Sequence, residues 1–269
     1  EGRLVSSASP LHPDATAADH ELCWQLATEV GRALLAHRER RNSEGHAGYA
    51  LGAEGDRGAH VLIEKQLAGQ LALGDALLSE EGHDSLDRLN HRRVWIVDPV
   101  DGTREYGEQG RTDWAVHIAL AIDGQPAAGA VALPARGITL GTGDRAVTLA
   151  QVPERRPQLV VSRSRPPVSA RWLQEQLEGE LVPLGSAGAK AMSVVLGESD
   201  IYAHSGGQYE WDNCAPAAVA LAAGLHVSRL DGTPLTYNHR DPYLPDLLIC
   251  RPELADAALA ALARFPGWY

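Results

Sequence analysis

The chain has 269 residues, 44% of them hydrophobic, and at that length roughly 70–75% of the unfolded surface can leave water, so disorder is excluded as the main state. Its 24 Lys+Arg against 35 Asp+Glu give a net charge of −11, which disfavours a duplex-binding surface and excludes a nucleic acid polymer as partner. Anionic small molecules stay open, because a bound metal inverts the local field.

From Thr16 a helix is predicted, with Thr16 and Asp19 as a capping box and Leu22, Leu26, Val30 and Leu34 recurring at i+4. It ends near Arg41. The glycine-rich, polar stretch from Asn42 to Gly58 reads as a loop or hairpin. Leu62, Ile63, Leu67 and Leu71 then predict a second helix, followed by a short strand over 76–78 that delivers Ser79, Glu80 and Glu81 at its end. An apolar strand over 94–97 stops at Asp98-Pro99, a longer strand runs from Trp114 to Ile122, and 127–149 reads as a β-meander with Pro134 and Gly137 at its turns.

The chain begins again with a strand from Leu159 to Ser162 and helices over 169–177 and 187–196. A strand over 201–203, a helix over 213–223, a hairpin through Asp231-Gly232, a strand over 247–249 and a helix over 254–263 complete it. The simplest layout is two α+β halves, 16–150 and 151–269, meeting near residue 150. Cys23, Cys214 and Cys250 lie far apart with no C-x-x-C pair. No apolar run approaches the ~20 residues that span a bilayer, and no charged-then-apolar segment opens the chain. The expectation is a cytoplasmic protein with reduced core thiols and no membrane partner.

The sharpest chemical signal is Asp98-Pro99-Val100-Asp101-Gly102-Thr103. Pro99 fixes one backbone angle and Gly102 permits a tight turn, so two carboxylates converge around a free backbone carbonyl. Such carboxylates repel and raise one another's pKa unless a hard cation neutralises them. Glu80 and Asp212 are placed to join, Asp212 at a helix N-terminus where a simple cap is the plainer reading. Other motifs fail on spacing: Asp98 and Asp101 are three apart where a haloacid-dehalogenase pair is two apart. The run Gly185-Ser186-Ala187-Gly188-Ala189-Lys190 lacks the Walker pattern, though it could still cradle an anion. His117 alternates with core residues along its strand and reads as structural.

Together the D-P-V-D-G-T run at 98–103, the Glu80-Glu81 pair and Trp211-Asp212, in this order, resemble the lithium-sensitive, magnesium-dependent phosphatase superfamily of inositol monophosphatase and fructose-1,6-bisphosphatase. The resemblance spans about Asp56 to Ile249. Within that superfamily Arg104-Glu105-Tyr106, Val160-Val161-Ser162-Arg163-Ser164 and the run ending in Lys190 are most similar to the CysQ-type 3′(2′),5′-bisphosphate nucleotidases. The resemblance implies an α+β fold, a layered α-β-α-β-α sandwich.

It also implies two Mg²⁺, one held by Glu80, Asp98 and the Val100 carbonyl, the other by Asp98, Asp101 and Asp212. Asp56, with Glu80, would supply a weaker third site. Thr103 and Glu80 would orient and deprotonate the attacking water, with Asp101 among the catalytic residues. Gly102, Thr103, Ser162, Arg163, Ser186, Lys190 and His204 would contact substrate. The implied reaction is hydrolysis of 3′-phosphoadenosine 5′-phosphate to AMP and phosphate, in sulfate assimilation, with lithium as inhibitor and a monomer or homodimer as the assembly. Two alternatives remain at this stage: the same chemistry on inositol 1-phosphate or fructose 1,6-bisphosphate, and a non-catalytic nucleotide or metal sensor.

Overall fold

A computed structural model describes residues 11–149 and 155–268; the boundary expected near residue 150 falls outside them. Helix α1 (Ala17–Ser43) opens on the expected capping box, with Asp19 N–H donating to Thr16 Oγ1 and Thr16 N–H to Asp19 Oδ2. Its apolar stripe of Cys23, Leu26, Val30 and Leu34 is buried.

Helix α2 (Gly48–Ala72) corrects the loop expected up to Gly58. Glycine costs about 1 kcal/mol in a helix interior relative to alanine, and that local signal is overridden here by packing. The face carrying Gly48, Gly52 and Gly55 lies against the short helix α3 (Thr103–Gly107), where Cβ atoms at 52 and 55 would run into Thr103 and Tyr106.

The first sheet contains β1 (Ala76–Ser79), β2 (Arg93–Asp101), β3 (Ala115–Ile122), β4 (Gln125–Leu133) and β5 (Ile138–Gly141) in chain order, with β1 parallel to β2 and the others antiparallel. The second contains β6 (Gln158–Ser162), β7 (Glu180–Leu184), β8 (Ile201–Tyr209), β9 (His226–Ser228) and β10 (Tyr243–Cys250), ordered β7-β6-β8-β10-β9. Strand β7 had no counterpart in the sequence reading. The turn at Asp231-Gly232 forms, but it does not join a tight hairpin: β9 pairs with β10 only after the chain has run on to Tyr243.

Helices α4 (Val168–Gln176), α5 (Ala187–Val195), α6 (Glu210–Ala222) and α7 (Pro252–Leu262) complete the layers. α1 and α2 cover one face of the first sheet, α5 and α6 fill the space between the sheets, and α4 and α7 cover the outer face of the second. Three apolar cores match these layers, centred on Trp95 and Ile118, on Met192 and Val219, and on Leu173 and Leu248. This is the α-β-α-β-α sandwich expected from the sequence. Among the described residues no helix is long and apolar enough to cross a membrane.

Candidate active site and metal centre

In a regular strand, residues three apart point to opposite faces. Asp98 and Asp101 escape this because β2 carries a bulge: Asp98 pairs with His117 and Asp101 with Ala115, so two residues of β2 oppose the single Val116. The extra residue turns both carboxylates to one side. Asp212, in the first turn of α6, supplies a third, and ligand oxygens of Asp98, Asp101 and Asp212 lie within 4.8 Å of one another. Asp56 of α2, Glu80 just beyond β1 and Asp98 form a second group by the same measure, so Asp98 is common to both.

Asp212 combines both readings made from the sequence. One oxygen accepts the Tyr209 N–H at 2.6 Å, as a helix-capping carboxylate does, while the residue also belongs to the cluster. Asp56 is tied to Thr103, whose Oγ1 lies 2.9 Å from Asp56 Oδ2 and 3.2 Å from the Val100 carbonyl. Among the described residues the hydroxyl bonds to these two and not to Glu80.

Burial and mutual repulsion govern the electrostatics. Asp98 is raised well above the usual carboxylate range by burial, then by Glu80 and Asp101. Burial pushes Asp56 up to about 7 against the opposing Thr103 hydrogen bond, and pushes Asp212 up to about 7 against the Tyr209 N–H. Glu80 is raised too, chiefly by burial. Asp101 goes the other way: burial alone would raise it, but His117, Lys190 and the Gly188 N–H together hold it low. Asp56 Oδ1 and Asp98 Oδ1 are buried without a hydrogen-bond partner. Orphaned carboxylate oxygens gathered this closely suit a hard divalent cation, which takes oxygen ligands.

Asp101 is also where the two halves of the chain meet. Its Oδ1 accepts from Ala187 N–H at 3.1 Å and its Oδ2 from Gly188 N–H at 2.5 Å, at the N-terminus of α5. The anion cradled by the Gly185–Lys190 run is thus the protein's own Asp101. The next amides are engaged as well, Ala189 N–H by Ser186 Oγ and Lys190 N–H by the Ser186 carbonyl. Asp113 ties the loop down by accepting from Gly185 N–H with its side chain and from Ser186 N–H with its carbonyl. Gly102, in the left-handed region at φ 86°, lies against Ser186, and a Cβ there would come 2.8 Å from the serine's own.

His117 is buried beside the carboxylate cluster, its Nε2 3.1 Å from Asp101 Oδ2 and its Nδ1 2.9 Å from the Trp211 carbonyl. It braces both Asp101 and the segment leading to Asp212, so it is more than the structural histidine read from the sequence. Its place one strand over from Asp98 is the signal that could have revealed it. Asp113 carried no motif signal at all.

The residues expected to contact substrate are held by other partners. Lys190 is buried, and its ammonium donates to the carbonyls of Gly185 (2.5 Å) and Ser186 (2.7 Å). Burial brings its pKa down to about 8. Arg163 is paired with Glu105 and Glu108 at 2.7 and 3.0 Å. Ser162 Oγ lies 3.5 Å from Ser164 Oγ and accepts from Arg165 N–H. On β8, the His204 Nε2 is 3.0 Å from the Gly207 carbonyl.

The inositol monophosphatase family model matches residues 14–265. The chain is 52% identical over 223 residues to the 3′-phosphoadenosine 5′-phosphate phosphatase of Mycobacterium tuberculosis, covering 80% of this chain and 83% of that protein. It is 33% identical over 200 residues to the 3′(2′),5′-bisphosphate nucleotidase CysQ of Escherichia coli, covering 70% and 80%. The fold is shared with inositol monophosphatase II of Staphylococcus aureus, at a TM-score of 0.74 and 21% identity over 91% of this chain and 94% of that one. With the bulged carboxylate pair and its partners in place, these matches make the chain a member of the inositol monophosphatase family, a family of phosphatases.

Proposed function

We propose that this protein removes the 3′-phosphate of 3′-phosphoadenosine 5′-phosphate, giving AMP and phosphate. The observation that carries the reading is the carboxylate set of Asp56, Glu80, Asp98, Asp101 and Asp212 gathered around the bulge in β2. The 52% identity to a phosphatase named for that substrate supports the choice of ester. In this reading the protein serves sulfate assimilation in the cytoplasm, which suits its three buried free cysteines, and lithium inhibits it. It acts as a monomer or homodimer.

Mg²⁺ is the cation this reading assigns to the cluster. Glu80, Asp98 and the Val100 carbonyl would hold one ion, Asp98, Asp101 and Asp212 a second, and Asp56 with Glu80 a third. Bound there, Mg²⁺ would offset the charge that develops on the phosphoryl oxygens and make water a stronger nucleophile at neutral pH.

The chain's own residues orient and exclude. Thr103 has one hydroxyl proton, which it gives to Asp56 Oδ2, and its lone pairs are left to accept a proton from the attacking water. That proton can pass through the hydroxyl to Asp56. The water oxygen forms the new bond to phosphorus as the bond to the ribose 3′-oxygen breaks, and the departing oxygen takes a proton from solvent to become the 3′-hydroxyl of AMP. Amides of Gly102 and Thr103 contact the phosphate under attack. Ser162, Arg163, Ser186 and His204 line the substrate side, while Lys190 acts on a second phosphate through its charge, two of its three N–H groups being committed to carbonyls.

A panel of 3′-phosphoadenosine 5′-phosphate, inositol 1-phosphate and fructose 1,6-bisphosphate tests the substrate. A kcat/KM preference of about a hundredfold for the nucleotide, about 2.7 kcal/mol in transition-state binding, is expected. A preference for either sugar ester would replace this reading with the alternative that keeps the same carboxylates.

A further inference from the structure

Helix α2 approaches α3 so closely at Gly52 that there is no room for a side chain. A Cβ at residue 52 would lie 2.6 Å from Thr103 Cγ2 and 2.9 Å from the Thr103 carbonyl oxygen. The second atom is backbone, at the start of α3 and directly after the Asp98–Gly102 segment, so it cannot step aside by rotating a side chain. Asp56 is the i+4 neighbour of Gly52 and shares its helix face. Its Oδ2 takes the hydrogen bond from the same threonine at 2.9 Å.

Two glycines of the same helix supply the contrast. At Gly58 and Gly69 a Cβ would meet nothing within 4 Å.

From this we infer that Gly52 is a positioning residue for the reaction: its missing side chain sets the spacing of α2 from α3 at which the Asp56 carboxylate and the Thr103 hydroxyl meet. Gly55 supports the same spacing one turn on, where a Cβ would lie 2.7 Å from the Tyr106 ring. That ring is itself held by its hydroxyl, which donates to the Leu34 carbonyl. An alanine at 52 moves Asp56 and Thr103 apart and leaves the rest of the carboxylate set in place. Misplacement of about 1 Å at such a pair costs on the order of 10²-fold in rate.

This inference rests on the phosphatase reading for its kinetic half and on packing alone for its other half, so the test reads both. Gly52→Ala, Gly58→Ala, Thr103→Ser and the Gly52→Ala/Thr103→Ser double variant are compared in thermal midpoint and in turnover of 3′-phosphoadenosine 5′-phosphate with Mg²⁺. Serine keeps the hydroxyl but lacks the Cγ2 that the new Cβ meets. The expected result is a lower midpoint and about a hundredfold lower kcat, with KM within about threefold, for Gly52→Ala. Gly58→Ala should match the parent in kcat, and the double variant should exceed Gly52→Ala in both midpoint and kcat.

Wild-type kcat in Gly52→Ala overturns the inference, and so does equal loss in Gly58→Ala. A double variant whose losses are simply the sum of the two single ones also overturns it, because removing the Cγ2 at 2.6 Å, the nearer of the two clashing atoms, must relieve part of the crowding even though the carbonyl stays. If the parent releases no phosphate from the nucleotide, the substrate reading fails, and the midpoints still decide the packing claim by the same pattern.

Discussion

The acidic and basic residues of the site are in opposite conditions. Asp56 and Asp98 each keep a buried oxygen without a hydrogen-bond partner, and four of the five carboxylates are raised by burial and by one another. The cations near them are already engaged, Lys190 by two carbonyls and Arg163 by Glu105 and Glu108. Asp101 is the exception among the acids, since amides of α5 and His117 satisfy it internally. The protein therefore does not neutralise its own acidic cluster. A cation taken up from solution would supply the missing positive charge, as a cation-dependent phosphatase requires.

The largest effect should come from Asp101, where the two conditions meet. Asp101→Asn removes one charge from the acidic cluster and leaves one amide of α5 facing an NH₂ group. Turnover should fall by about 10³-fold or more, while circular dichroism shows the fold retained. Substantial Mg²⁺-dependent activity in that variant would break the contrast drawn here.

Stability against pH sharpens it next. Asp56 and Asp212 carry folded-state pKa values raised to about 7, above the value of about 4 expected for an unfolded carboxyl. A carboxyl raised on folding holds its proton more tightly in the folded state, so its unfavourable contribution is absent below about pH 4 and grows as pH rises toward 7. Metal-free protein should lose thermal stability over that window. Mg²⁺ should raise the midpoint more at pH 8 than at pH 5, because it binds the ionised forms. A cation effect independent of pH would mean that the raised carboxylates are not the ligands.

The basic side predicts smaller changes. Lys190→Ala leaves the Gly185 carbonyl without its donor, while the Ser186 carbonyl keeps the N–H of residue 190, a cost of about 1–3 kcal/mol in stability. It should weaken kcat/KM for the bisphosphate nucleotide more than for inositol 1-phosphate. Equal weakening of both would remove Lys190 from recognition of a second phosphate. Arg163→Gln should cost about 1–3 kcal/mol in stability, since it takes the charged partner from the buried Glu105 carboxylate, and its effect should also appear in KM.

Much of this was legible before any coordinates. Thr16 and Asp19 marked the start of α1, the apolar run over 94–97 marked β2, and the Asp98–Thr103 segment with Glu80 and Asp212 pointed to the acidic cluster. Each is a local signal, carried by residues within a few positions of one another. Features that depend on long-range contacts were not legible. Glycines 52 and 55 read as a loop because their purpose, close approach to α3, lies some fifty residues away. The Gly185–Lys190 run looked like a cradle for a foreign anion because nothing local shows that Asp101 fills it. His117 looked like core until the register of β2 and β3 set it beside Asp101. The bulge matters most: spacing alone cannot say that residues 98 and 101 share a face, and one extra residue in the strand decides it.

The central claim is that the acidic cluster needs a cation from solution to act on a phosphate ester. The most direct test is phosphate release from 3′-phosphoadenosine 5′-phosphate by metal-stripped protein, before and after Mg²⁺ is restored. The account predicts no measurable release without the cation and full recovery with it, suppressed again by lithium. Undiminished release from the stripped protein would contradict it.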